Sequence, residues 1–130
     1  METFPIPRAD SIIFEDERLY VCLAEYPLTR GHTIVVWKRP TTDLHLLDRA
    51  EYGYLMEIVD TTRNALLEVL HLEKVYLLYM DEVKQVHWHV VPRYNEQGIN
   101  ALAHTPERTT DFSLGPSLRA AFRDALRHIM

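Results

Sequence analysis

A single cysteine, Cys22, is all the thiol chemistry this sequence holds. One thiol cannot close a disulfide within its own chain or supply the paired cysteines of a zinc finger, and the scarcity points to a reducing compartment. Long apolar runs are missing as well: no stretch approaches the ~20 residues needed to cross a bilayer. The opening METFPIPRADS places acidic and proline residues where a secretory leader needs a basic start and an unbroken apolar segment. A cytoplasmic protein without a membrane partner is therefore expected. Basic residues are outnumbered, 14 Lys and Arg against 19 Asp and Glu for a net charge of −5. That balance argues against broad nucleic-acid binding, which needs a dense cationic field. A small phosphorylated ligand needs only a few local donors, and Arg30, Lys38, Arg39, Lys84 and Arg93 fall near the ends of predicted strands. No internal repeat or low-complexity tract is present.

What is there suits one domain. A chain of 130 residues that is 47% hydrophobic and 25% charged can bury about two-thirds of its unfolded surface in one core. Its most informative stretch is Gln85 to Arg93, QVHWHVVPR. Read as a strand, side-chain alternation puts Gln85, His87 and His89 on one face and Val86, Trp88 and Val90 on the other. The two imidazoles then stand roughly 6 to 7 Å apart, within reach of one phosphate or one metal ion. Pro92, with no N–H to donate, is expected to end the ladder.

The rest of the chain supplies a scaffold. Ser11–Phe14 and Leu19–Glu25 read as a hairpin around the charged turn EDER. His32–Trp37 reads as a strand rich in β-branched residues, entered through Gly31, which lets the backbone turn sharply before His32. Thr41 or Thr42 is expected to cap the short segment DLHLL, and Asp48 to cap a long helix from about Arg49 to Leu70. Leu55, Ile58, Val59, Thr62, Leu66, Val69 and Leu70 form its apolar stripe. Gly53 inside that helix costs about 1 kcal/mol relative to Ala, and close packing on a sheet would account for it. His45 and His71 flank the helices and are expected to be solvated. Glu73–Met80 reads as a fourth strand and Gln85–Val91 as a fifth. Beyond Arg93 the chain reads as loop until Pro116, which opens a C-terminal helix with Leu118, Ala121, Phe122, Ala125, Leu126 and Ile129 on one face. Strands grouped around one main helix give an α+β class.

His32 in RGHTIVVWKRP and the pair in QVHWHVVPR together resemble the histidine-triad (HIT) superfamily of nucleotide hydrolases and transferases. The resemblance covers about Asp10 to Tyr94 and leaves 95–130 as an extension of a single domain, 1–130. It implies an antiparallel five-stranded half-barrel sheet with one long central helix, paired into a homodimer. Three departures from the family pattern stand out. Gln85 replaces the first motif histidine, the polar loop before the motif is reduced to DEVK, and Ala24 stands where relatives often place Asp or Asn against a ribose, with Glu25 beside it as a substitute.

By resemblance, His87 is the nucleophile toward the α-phosphorus of a nucleotide. His89, protonated, donates to the leaving group, and His32 stabilises charge or holds substrate. Gln85 cannot titrate, but its amide can donate and accept hydrogen bonds within the network. Glu25, Lys84 and Arg93 are the candidate substrate-binding residues. The implied substrates are dinucleoside polyphosphates such as diadenosine tetraphosphate, or nucleoside phosphoramidates, and no metal or other cofactor is required. Two other readings fit the same histidines: a nucleotide-binding protein with little turnover, and a metal-binding module formed by His32, His87 and His89. A DNA-end-processing role fits poorly with the acidic balance.

Overall fold

The structure, a computed structural model, describes residues 3–128, so Ile129 lies outside the described residues. Strands β1 (Ile12–Glu15), β2 (Leu19–Leu23) and β3 (Thr33–Trp37) are followed by helix α1 (Arg49–Leu70). Strands β4 (Lys74–Tyr79) and β5 (His87–Arg93) come next, then helix α2 (Gly115–Arg127). The five strands form one antiparallel sheet in the order β1-β2-β3-β5-β4, which confirms the α+β class. The last strand in sequence thus sits inside the sheet. Its neighbours are β3, paired Ile34 to His89 and Val36 to His87, and β4, paired Leu78 to His89.

Local chemistry accounts for the turns. Asp16 accepts from the backbone N–H groups of Arg18 and Leu19 at 2.8 and 2.9 Å, which closes the β1–β2 turn. Helix α1 starts at a capping box: Asp48 accepts from the N–H of Glu51 at 2.8 Å, and Glu51 returns the bond to the N–H of Asp48 at 3.0 Å. The 3-10 turn Leu44–Leu46 is capped by Asp43 and by neither Thr41 nor Thr42; Thr41 instead donates to the carbonyl of Arg39. The Asp43 carboxylate accepts from the N–H of His45 at 3.0 Å.

The sheet has two unlike faces. On one, Val21, Val35, Trp37 and Val90 meet Leu55, Ile58, Val59 and Leu66 of α1, and α2 adds Leu118 and Phe122. Phe14 stacks on Phe122 with ring centroids 4.9 Å apart. Each such fully buried side chain stabilises the fold by about 1.5–3 kcal/mol. Thr62, inside the stripe, satisfies its hydroxyl on the Ile58 carbonyl at 2.8 Å. On the other face stand Tyr20, Cys22, Ile34, Val36 and the two β5 histidines.

Three expectations need correction. The fifth strand begins at His87, not Gln85, and runs through Pro92 to Arg93. Pro92 is tolerated because β3 pairs with β5 only as far as Val90, and the Pro92 carbonyl turns toward the Thr29 hydroxyl at 2.8 Å. Its missing N–H therefore faces that side and not the β4 ladder. Gly53 is exposed, and a Cβ there would meet nothing within 4 Å, so close packing does not explain it.

Candidate active site

The site is built where β3 and β5 lie side by side. Pairing of Ile34 with His89 and Val36 with His87 fixes the two β5 histidines over the floor of the second face. His32 stands just before β3. Gly31 adopts φ +88°, and a Cβ at that position would come within 2.9 Å of Leu70 Cδ1. Only glycine fits there without displacing the helix or the entry to His32.

Hydrogen bonds assign the tautomers one after another. The N–H of Leu28 donates to His32 Nδ1 at 2.9 Å, so that nitrogen carries a lone pair. The neutral His32 ring then holds its proton on Nε2, which lies 2.9 Å from His89 Nδ1. His89 Nδ1 accepts, leaving its own proton on Nε2. His87 Nδ1 lies 2.9 Å from the backbone carbonyl of Gln85, which can only accept. His87 therefore keeps its proton on Nδ1 and an unshared lone pair on Nε2. The result is one imidazole with an unshared lone pair on Nε2 and a second with a proton on Nε2, their ring centroids 5.1 Å apart.

Burial sets the charge state. Desolvation, followed by the neighbouring His89, lowers the pKa of His32 from its ordinary 6.5 to about 3. Desolvation and then His87 lower that of His89 to about 4. Both rings are neutral near pH 7 in the free protein. In the free protein His89 thus offers a neutral Nε2–H, whereas the expected positive charge concerns the ring beside a bound phosphate, whose anion favours the charged form.

The remaining predicted residues fall differently. Gln85 contributes its backbone carbonyl to His87, but its side chain leaves the histidine network. The amide donates to the carbonyls of Trp37 at 3.0 Å and Lys38 at 3.3 Å, and its oxygen accepts from the N–H of Phe4 at 2.8 Å. Glu25 lies at the rim with its carboxylate 2.6 Å from Arg108 Nε, so a partner from the C-terminal segment already engages it. Lys84 is exposed in the β4–β5 link, and Arg93, at the end of β5, lies 3.9 Å from Glu73. Neither lines the cleft beside the histidines.

That cleft, about 370 Å³, has His32 and His89 at its inner end, Tyr20, Cys22, Ile34 and Val36 as its floor, and the segment Phe4–Arg8 as its outer wall. A wider groove at Asp43, His45, Tyr52 and Tyr79 reaches none of the three histidines. The N-terminal segment was invisible to periodicity, whereas Tyr20 and Cys22 follow from alternation along β2. Burial raises the Cys22 thiol to about 12, so it is a neutral, apolar floor residue. His87 does not line the cleft, because the Phe4 ring covers it edge-on with centroids 4.6 Å apart. Among the described residues no group of three His, Cys, Asp or Glu is placed to hold a metal ion, and both ring nitrogens of His32 are already engaged.

Comparison with known proteins agrees with the fold. No curated protein matches the chain. A zinc-bound histidine triad family protein from Mycobacterium smegmatis is 30% identical, with 92% of this chain and 87% of that one covered at a TM-score of 0.72. A Hit-like protein involved in cell-cycle regulation from Bartonella henselae is 19% identical over 89% and 88% of the two chains, TM-score 0.73. Plasmodium falciparum diadenosine triphosphate hydrolase shares the fold at 13% identity, covering 95% and 78%, TM-score 0.62. The HIT domain model matches residues 8–96, so that the chain belongs to the HIT domain family.

Proposed function

We propose that this protein is a nucleotide hydrolase or nucleotidyl transferase that cleaves at the α-phosphate of a dinucleoside polyphosphate of the diadenosine tetraphosphate kind. The observation that carries the reading is the assignment of tautomers, which leaves a lone pair on His87 Nε2 and a proton on His89 Nε2. His87 Nε2 forms a bond to the α-phosphorus, the phosphorus–oxygen bond to the polyphosphate breaks, and its electron pair leaves with that oxygen. The Gln85 carbonyl accepts from His87 Nδ1 and stabilises the charge on the nucleotidyl-imidazole. Water then attacks phosphorus, the nitrogen–phosphorus pair returns to His87, and the proton of water passes to solvent with the released monophosphate. His32 orients His89 and is a positioning residue in this scheme.

The leaving group follows from the charge state. A polyphosphate departs as a stable anion, for which a hydrogen bond from neutral His89 suffices. An amine must be fully protonated, which first requires His89 to be recharged against the burial that lowers it. Phosphoramidates therefore depend more on the charge that the bound phosphate induces on His89. The apolar floor of Tyr20, Cys22, Ile34 and Val36 suits a flat nucleobase, and the cleft volume is within the range of small-ligand pockets. Likeness to the Plasmodium hydrolase adds support at the level of fold.

Monophosphate release from diadenosine tetraphosphate and from an adenosine phosphoramidate tests the reading. Wild type is expected to favour the first, and His87→Ala to lose at least about a thousandfold in rate, as for removal of a catalytic nucleophile. Retained activity in that variant sinks the assignment. A binding protein with little turnover is the second reading, favoured by the Phe4 ring over His87; tight nucleotide binding without product release would establish it. The zinc-bound relative keeps a three-histidine metal reading testable by elemental analysis of untagged protein. A homodimer is part of the proposal, with the exposed edges of β1 and β4 as its physical motive, and sedimentation at monomer mass counts against it.

A further inference from the structure

The side chain of Gln85 occupies a motif position yet makes no bond to a histidine ring among the described contacts. Its amide extends the β3–β5 ladder beyond the strand end: the N–H of Trp37 donates to the Val86 carbonyl at 2.9 Å, and the Trp37 carbonyl accepts from Gln85 Nε2. With its nitrogen held there, the amide oxygen is fixed outward and takes the N–H of Phe4. The residues joined are 81 apart in sequence.

The segment so held is built as a strap. Its base is pinned where Ser11 donates both N–H and hydroxyl to the Arg8 carbonyl, at 3.0 and 2.7 Å, while the Arg8 guanidinium meets Asp10 and lies over the Phe112 ring. Between base and tip, Pro5 and Pro7 have restricted φ and no N–H, so this stretch is stiff and bonds weakly to the sheet. Ile6 is 96% exposed, which shows how little the middle is embedded. At the tip, the Phe4 ring seats on His87, which is 5% exposed.

We propose that Gln85 is a positioning residue that fastens the N-terminal segment across the mouth of the site, so that Phe4 caps His87 until the segment lifts. This deepens the reading of His87 as the reacting imidazole and rests on it for its consequence: the free protein holds its nucleophile shielded, and reaction with a phosphate requires Phe4 to leave. The capping itself is readable without any turnover.

The test is carbethoxylation of histidines by diethyl pyrocarbonate at neutral pH, followed residue by residue with peptide mass spectrometry, with exposed His45 and His71 as internal references. In wild type, His87 reacts more slowly than both references. Gln85→Ala and Phe4→Ala each accelerate His87 about tenfold, equal to about 1.4 kcal/mol and within the range of one hydrogen bond or one aromatic contact. The reference rates stay unchanged, and Phe4→Leu, which restores apolar bulk, returns His87 toward the wild-type rate. Equal rates for His87 and the references in wild type, or unchanged His87 rates in both alanine variants, overturn the proposal. Hydrogen exchange at the Phe4 amide of the unmodified protein gives an arm that needs no variant: slowed exchange supports the clasp, and free-chain exchange overturns it. His87→Ala inactivity bears on the reaction alone, so failure of one reading is distinct from failure of the other.

Discussion

The two faces of the sheet solve opposite problems. The helix side excludes water with large apolar side chains from α1 and α2; Thr62 satisfies its hydroxyl within its own helix, while the indole Nε1 of Trp37 is buried among apolar neighbours without a partner among the described residues. The histidine side keeps three imidazoles together under a thin cover: His32 and His89, 57 residues apart, bond to each other, and local backbone groups of Leu28 and Gln85 orient His32 and His87. One face is stabilised by bulk and the other is ordered by direction. Stability and chemistry are therefore expected to respond to different substitutions.

The largest effect on the helix side is expected from Phe122→Ala. It removes a fully buried ring stacked on Phe14 and should cost about 3–5 kcal/mol in denaturant unfolding, while leaving the relative reactivities of the histidines unchanged in the folded fraction. A change confined to His87 reactivity would mean the two faces are not independent.

Acid should act from the histidine side. His32 and His89 have folded pKa values of about 3 and about 4, below the ordinary 6.5, so the unfolded chain takes up protons first as pH falls. Stability is full above about 6.5 and declines below it, by up to about 1.4 kcal/mol per pH unit per ring. Thermal midpoints between about pH 6.5 and about pH 5, above the carboxylate range, should fall in wild type and fall less in the double variant His32→Gln, His89→Gln. Equal slopes would break the argument.

The smallest and sharpest test uses two glycines. Gly31→Ala forces a side chain onto φ +88° and against Leu70, with an expected loss of about 1–3 kcal/mol and a displaced His32. Gly53→Ala fills open space on an exposed helix surface and should stabilise by about 1 kcal/mol. Equal signs for the two in thermal melts would contradict the geometry.

Much of this was legible in the sequence, for identifiable reasons. Asp48 and the stripe from Leu55 to Leu66 define α1 because caps and a 3.6-residue period are local signals. Alternation in VHWHVV separates His87 and His89 from the core for the same reason. The side-chain direction of Gln85 was not legible, since it precedes the strand and obeys contacts to Trp37 and Phe4 that are remote in sequence. The ion pair of Glu25 with Arg108 was likewise not legible, because the two residues lie 83 apart in sequence. The Phe4–Arg8 wall has two prolines and no period, so nothing local announces it.

The central position of β5 carries a kinetic consequence. His32 and His89, 57 residues apart, meet only when the β4–β5 hairpin docks its β5 edge on β3. The β1–β2–β3 meander and the β4–β5 hairpin need only short loop closures, whereas that docking must overcome the entropy of a long one. A refolding chain is therefore expected to acquire its hairpins before its histidines meet, so that the contact between His32 and His89 marks the completion of the sheet.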